Sequence, residues 1–212
     1  MSRIRHRDSD KTRQEILLAA ERIFAEAGLE GARIEAIAAS AGVNKAMLYY
    51  YFKSKAGLYR AVLEQNVRDF RGRAQEVLAG KGSASTLLLR FVSHHFDFIG
   101  ARPYYARLFQ RLILAGDRNV DRIIKEQFVP LSKCLTAVIE RGMRSGEFRP
   151  FDTRHTAISL VGLTVFFFNA APVVRMIGGI DVYDKAEQAR RKAEVLKFIR
   201  YALFRNPEAL DR

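Results

Sequence analysis

The sequence predicts an all-α protein of about nine helices. Apolar residues recur at spacings of three and four almost everywhere, and no alternating strand pattern of useful length interrupts them. Proline occurs only five times, and glycine falls mainly where helices should end. Short polar caps stand at the expected helix starts. Thr12 and Glu15 form a capping box ahead of the stripe Ile16, Leu17, Ala20, Ile23, Phe24 and Ala27, and Gly28 supplies a left-handed stop. Short helices follow over 34–41 and, after a turn at Gly42, over 45–51 with Asn44 as cap. Ser54 caps a fourth helix to about residue 79, which the break Gly80-Lys81-Gly82-Ser83 ends. Further helices are expected at 84–100, 103–115, 118–144, 153–176 and 185–204. Pro103 suits a first helical position. Asp117, Asp152 and the Asp184–Glu187 pair open the last three helices, and Gly178-Gly179 closes the eighth.

Composition bounds the function. With 49% hydrophobic residues in 212, the chain can bury a core, and a disordered tail protein is excluded. Lys and Arg number 36 against 23 Asp and Glu, a formal +13 that favours a polyanionic partner such as nucleic acid or acidic lipid. Cys134 is the sole cysteine, so no internal disulfide or thiolate metal cluster forms, and a reducing cytoplasm is the expected location. The basic start of the chain is not followed by an apolar signal core. The apolar run 157–171 is broken by Ser159, Thr164 and Asn169, so it reads as a buried helix and no membrane partner is expected. Nothing resembles a nucleophile elbow, a phosphate-cradling glycine loop or a metal-binding His or Cys pair, so neither an enzyme nor a cofactor is expected.

Residues 34–52 carry the functional signal. Two short helices crossing steeply, with almost no room between them, make a helix-turn-helix. Ala38 is small enough for the crossing, and Gly42 tolerates the positive φ of the turn. Ile34, Ile37, Ala41, Val43 and Leu48 supply the apolar faces. An ordinary helical hairpin would explain those faces. It would not explain helices of two turns, nor a second helix that presents Lys45, Tyr49 and Tyr50 outward.

The landmarks are Phe24-Ala-Glu-Ala-Gly28, Ile37-Ala38, Ala41-Gly42-Val43, Leu48-Tyr49-Tyr50-Tyr51-Phe52, Ser54-Lys55 and Leu58. On these, residues 12–63 resemble the N-terminal domain of the TetR family of transcriptional regulators. The resemblance implies a DNA-binding domain over 1–54 and a helical ligand-binding and dimerisation domain over 55–212, joined through the fourth helix. It further implies a regulator, most often a repressor, that binds a palindromic operator in double-stranded DNA as a homodimer. Asn44, Lys45 and Ala46 would approach base edges, Tyr49, Lys55 and the start of the fourth helix at Ser54 would bind phosphates, and Tyr50 would be a further DNA contact. Lys45 would donate to guanine, and Ala46 would meet a thymine methyl. Arg33 stands where the family usually has Thr or Ser; it reaches phosphate but cannot cap. Arg3, Arg5 and Arg7 form a basic arm that either tracks the backbone or a minor groove, or floats in solvent.

A small-molecule effector of unknown identity is expected among the central helices, where Phe91, His95, Phe98, Tyr105, Phe109 and Arg111 offer apolar walls and polar tips. Most of these aromatics equally suit a plain core. For dimerisation the stripes are Ile158, Val161, Val165 and Phe168, then Leu196, Ile199 and Leu203, with the core again the alternative face. The rival function is a non-specific architectural DNA binder working by charge alone.

Overall fold

A computed structural model describes residues 2–115 and 118–208, all helical apart from turns and one isolated bridge. Side chains are described for 9–114 and 121–208, so the Arg3, Arg5 and Arg7 side chains and Asp117 lie outside the described residues. Helix α1 (Ser2–Gly31) starts well before the predicted capping box, which places Thr12 and Glu15 in its interior. No Gly or Pro precedes Gly28, so nothing stops the helix from propagating upstream. At Gly28 the backbone turns to φ 72°, ψ −178°, and only the last turn of the element follows.

The next elements are α2 (Ile34–Ser40), α3 (Lys45–Phe52) and α4 (Lys55–Leu78). Ile34, Ile37, Ala38, Leu48 and Phe52 are buried, as are Ile16, Leu17, Ala20 and Phe24 of α1. Gly42 takes φ 65°, and the Val43 amide folds back to the Ala38 carbonyl at 3.0 Å, which sets the tight turn. After the break come α5 (Ala84–Gly100), opened by the Ser83 hydroxyl on the Thr86 amide, and α6 (Pro103–Ala115).

Two predicted helices are broken, and a proline accompanies each break. The segment expected over 118–144 divides into α7 (Arg118–Ile123), a π-helical turn (Ile124–Phe128) and α8 (Val129–Arg144). Pro130 has no N–H for the Glu126 carbonyl, which instead accepts from Arg71 Nη1 at 3.4 Å. The segment expected over 153–176 divides into α9 (Thr153–Asn169) and α10 (Ala171–Gly178), bent by 73°. Here Pro172 interrupts the ladder just after Ala170 leaves helical geometry. Asp152 caps α9 and Asp184 caps α11 (Lys185–Leu203), as their sequence signals required. Among the described residues no single helix is long and apolar enough to cross a membrane.

The chain forms two compact units, one of Met1–Arg68 with Arg107–Asp121 and the other of Asp69–Ala106 with Arg122–Arg212. In the first, α1 packs on α2, and α2 on α3. In the second, α5 is the central rod, packed by α8, α9 and α11 around Leu87, Leu88, Phe91, Phe96 and Ile99. The Glu147 carboxylate accepts from the Ala84 and Ser85 amides at 3.1 and 2.8 Å, which satisfies donors that have no intrahelical partner at the start of α5.

Candidate nucleic-acid interface

Helix α3 is held from behind and open in front. Leu48 and Phe52 bury its rear face, and the Arg13 guanidinium lies 5.5 Å from the Phe52 ring centroid. Asn44 Oδ1 accepts from the Met47 amide at 2.9 Å, which fixes the first turn. Asn44, Lys45, Ala46, Tyr49 and Tyr50 are all exposed, Tyr50 to 72%. The next residue in the row, Tyr51, exchanges a hydrogen bond of 3.1 Å with the Ser9 hydroxyl, so α1 also braces α3.

Lys45 does not stand alone. Its Nζ lies 2.5 Å from Glu35 Oε1 in the first turn of α2. The hydrogen bond and charge of Lys45 hold the Glu35 carboxyl below its usual value, and Glu35 raises the Lys45 ammonium reciprocally. Sequence reading missed Glu35, because residues ten apart on different helices leave no periodic trace. It also missed Lys53, an exposed cation between α3 and α4 with φ 64°, whose Nζ donates to the Tyr50 carbonyl at 3.1 Å.

The remaining predicted contacts fall in two places. Arg33 is exposed, extended at φ −105°, and makes no side-chain cap on α2. Lys55 is half-buried, and its Nζ donates to the Glu30 and Ala32 carbonyls at 3.2 and 3.4 Å. That is a cation satisfying the C-terminal end of α1, a role that competes with phosphate. Beside it, Ser54 Oγ accepts from the Gly57 amide at 3.0 Å and caps α4.

The predicted effector residues divide between the two units. Phe91, His95, Phe98 and Tyr105 are buried in the second, where Phe70 adds its ring 4.8 Å from His95 and 5.3 Å from Phe98. Phe98 meets Tyr105 edge-on at 5.1 Å, and the Arg102 guanidinium sits 4.0 Å over the Phe98 ring. His95 Nδ1 and the Thr164 hydroxyl are 2.7 Å apart. Burial keeps that imidazole neutral by lowering it from 6.5 to about 3. Phe109 and Arg111 belong to the other unit. Arg111 donates to the Ala25 and Glu26 carbonyls at 3.1 and 2.9 Å.

The expected dimerisation stripe divides between surface and core. Ile158 and Val161 are exposed, and Val165, Leu196 and Leu203 are partly buried. Phe168 and Ile199 are core residues at 3% and 1% exposure, with Phe168 packed 5.0 Å from Phe96. The large apolar side chains left uncovered on α9 and α11 include Phe166, Phe198 and Tyr201, none of which the stripe contained.

Comparison with known proteins bears on both units. Residues 16–62 match the model for bacterial regulatory proteins of the tetR family, and residues 85–199 match a tetracyclin repressor-like C-terminal domain. The transcriptional repressor NicS of Pseudomonas putida is 28% identical over 203 residues, 92% of each chain. Among solved structures, the ketosteroid transcriptional regulator KstR2 of Mycobacterium tuberculosis aligns at TM-score 0.71 and 21% identity, over 92% of this chain and 95% of that one. The transcriptional regulator FadR of Bacillus subtilis, solved with stearoyl-CoA, aligns at TM-score 0.68 and 22% identity, over 86% and 97%. At these identities the two structures speak for the fold.

Proposed function

The chain belongs to the tetR family of bacterial regulatory proteins, a family of helix-turn-helix transcriptional regulators, and from that premise we propose that it binds a palindromic operator as a homodimer and is released by a small-molecule effector. The observation that carries the reading is the α3 face from Asn44 to Tyr50, exposed and polar in front of a buried Leu48 and Phe52. Residues 1–54 read DNA in this proposal, and 55–212 pair the subunits and sense the ligand. Lys45 donates to a guanine edge, Ala46 packs on a thymine methyl, and Asn44 approaches the bases beside them. Arg33, Tyr49, Tyr50 and Lys53 position the helix against phosphates. Lys55 fixes the end of α1 and contributes to the backbone only secondarily, because its donors already have carbonyl partners.

A single α3 touches few base pairs, so selectivity requires two copies about one helical turn, ~34 Å, apart. The effector is placed at the ring cluster of Phe70, Phe91, His95, Phe98 and Tyr105. Phe70 belongs to α4, the helix that begins beside Ser54, so a ligand that displaces Phe70 bears on the spacing of the two α3 helices. The stearoyl-CoA bound by FadR supports an organic ligand, and the name of NicS supports repression. Effector and operator then weaken each other reciprocally.

The test is selection of bound duplexes from random DNA, followed by titration of selected and unselected sequences at several salt concentrations. The expected result is a palindrome and a specificity ratio of ~10³ or more. A ratio near one with a steep salt slope would show an architectural binder instead, working through the formal +13 charge.

A further inference from the structure

Glu35 stands where a DNA-reading surface should not carry an acid. It is exposed in the first turn of α2, beside an α3 face whose charged group is Lys45, and near the exposed Arg33. A carboxylate there repels the phosphates of any duplex that α3 enters. Its Oε1 meets Lys45 Nζ at 2.5 Å, from a residue on a different helix.

We propose that Glu35 is a specificity-determining residue: it holds the Lys45 ammonium in position for a guanine edge and withholds it from phosphates on unselected DNA. The proposal rests on α3 being the reading helix and deepens that reading.

The physical argument is a matter of donors and charges. A lysine ammonium has three N–H donors and no acceptor. It can direct one hydrogen to Glu35 and another to guanine O6 or N7, so base reading and the Glu35 pair are compatible. Neutralising a phosphate is a different requirement. To release a counterion Lys45 must present its full charge to the backbone, and a carboxylate 2.5 Å away cancels that charge locally. On DNA without the right guanine, Lys45 therefore contributes little, and Glu35 adds repulsion. Selected DNA keeps its hydrogen bond. The pair lowers non-specific affinity more than specific affinity, which widens the ratio between them.

Glu35 acts through Lys45, so the test must read something that a merely structural surface pair would not move. Glu35→Gln preserves shape and removes charge. On unselected DNA it is expected to bind roughly fivefold more tightly at low salt, the scale of one exposed ion pair. The slope of log K against log salt should steepen by about 0.9, one more counterion released. Affinity for the selected site should change less, so the specificity ratio falls. Glu35→Ala should act in the same direction. In a Lys45→Ala background, only the direct repulsion of Glu35 remains, so Glu35→Gln should steepen the slope much less.

Unchanged slopes and ratio in Glu35→Gln, with Lys45→Ala still lowering the ratio, would overturn the role of Glu35 and leave the α3 reading intact. An equal change of slope with and without Lys45 would make Glu35 a repulsive charge acting alone, which also overturns the proposal. If Lys45→Ala alters neither ratio nor slope, α3 does not read DNA through Lys45, and both ideas fall together. All these side chains are exposed, so each variant should melt with the parent, and a thermal scan confirms that before titration.

Discussion

Arg111 reaches from α6 to the end of α1, where its Nη2 donates to the Glu26 carbonyl at 2.9 Å while its Nε donates to the Ala25 carbonyl at 3.1 Å. The reason lies in the break at Gly28, which leaves the last carbonyls of α1 without intrahelical partners. A guanidinium suits that position, since it brings two fixed donors and a positive charge to the negative end of a helix. Arg111→Ala is expected to destabilise the protein by about 1 kcal/mol. The corresponding fall in melting temperature is roughly 2–4 °C. Arg111→Lys should lose part of this, because a point charge cannot span both carbonyls in the same way. An unchanged melting temperature in Arg111→Ala, with loss of effector binding, would return Arg111 to the ligand role that its sequence position first suggested.

Gly28 is the second half of the same joint. Its φ of 72° with ψ of −178° lies in a region that side-chain-bearing residues almost never occupy. A Cβ there would also stand 3.1 Å from Arg111 Nη1. Gly28→Ala should therefore cost about 1–3 kcal/mol in urea unfolding. Gly72 provides the contrast, since it lies inside α4 with nothing within 4 Å of its added Cβ. Gly72→Ala should stabilise by up to ~1 kcal/mol, the helix-propensity gain alone. Equal effects from the two substitutions would remove the conformational argument.

These joints show what the sequence could and could not reveal. Asn44, Asp152 and Asp184 act on amides two or three residues away, so their caps are legible as local patterns. Gly42 is legible because a two-helix corner demands its φ. The capping box at Thr12 failed because a good cap signal inside uninterrupted helix-forming sequence does not stop propagation. In α9, apolar residues occupy both the inner and outer edges, so spacing alone could not tell core Phe168 from exposed Phe166. Lys45–Glu35 and Arg111–Glu26 are tertiary pairs, and nothing in local periodicity encodes a partner that folding brings in from elsewhere.

His95 gives the protein a pH dependence with a defined window. The buried imidazole is neutral in the fold and titrates near 3, lowered by burial first and by the neighbouring His94 second. In the unfolded chain it takes its proton near 6.5. Between those values the unfolded state binds the extra proton, so stability rises with pH across the window and is lost as pH falls from 6.5 towards 3. His95→Gln removes the titration and leaves an amide facing the Thr164 hydroxyl. Denaturant unfolding at pH 7 and pH 5 should show a smaller loss in the variant than in the parent. Parallel losses would mean that His95 is protonated in the fold or that other groups dominate the window.

The last expectation concerns pairing. Ile158 and Phe166 on α9 are exposed to 68% and 67%, and Phe198 and Tyr201 on α11 to 60% and 53%. The two helices pack side by side in one unit, so these side chains can contribute to a single apolar face. In a twofold interface each such residue is buried twice, and one near the axis meets its own copy. Phe198→Glu would then bury two unpaired carboxylates. A cost of about 3 kcal/mol or more for leaving a buried charge unpaired raises the dimer dissociation constant ~100-fold or beyond. Phe168→Ala supplies the control: it should cost about 3–5 kcal/mol of folding stability through a cavity beside Phe96 and leave the outer face intact. Sedimentation of Phe198→Glu at micromolar concentration should give a folded monomer, with operator affinity falling alongside because only one half-site is held at a time. A Phe198→Glu protein that sediments as a dimer would place the pairing surface elsewhere.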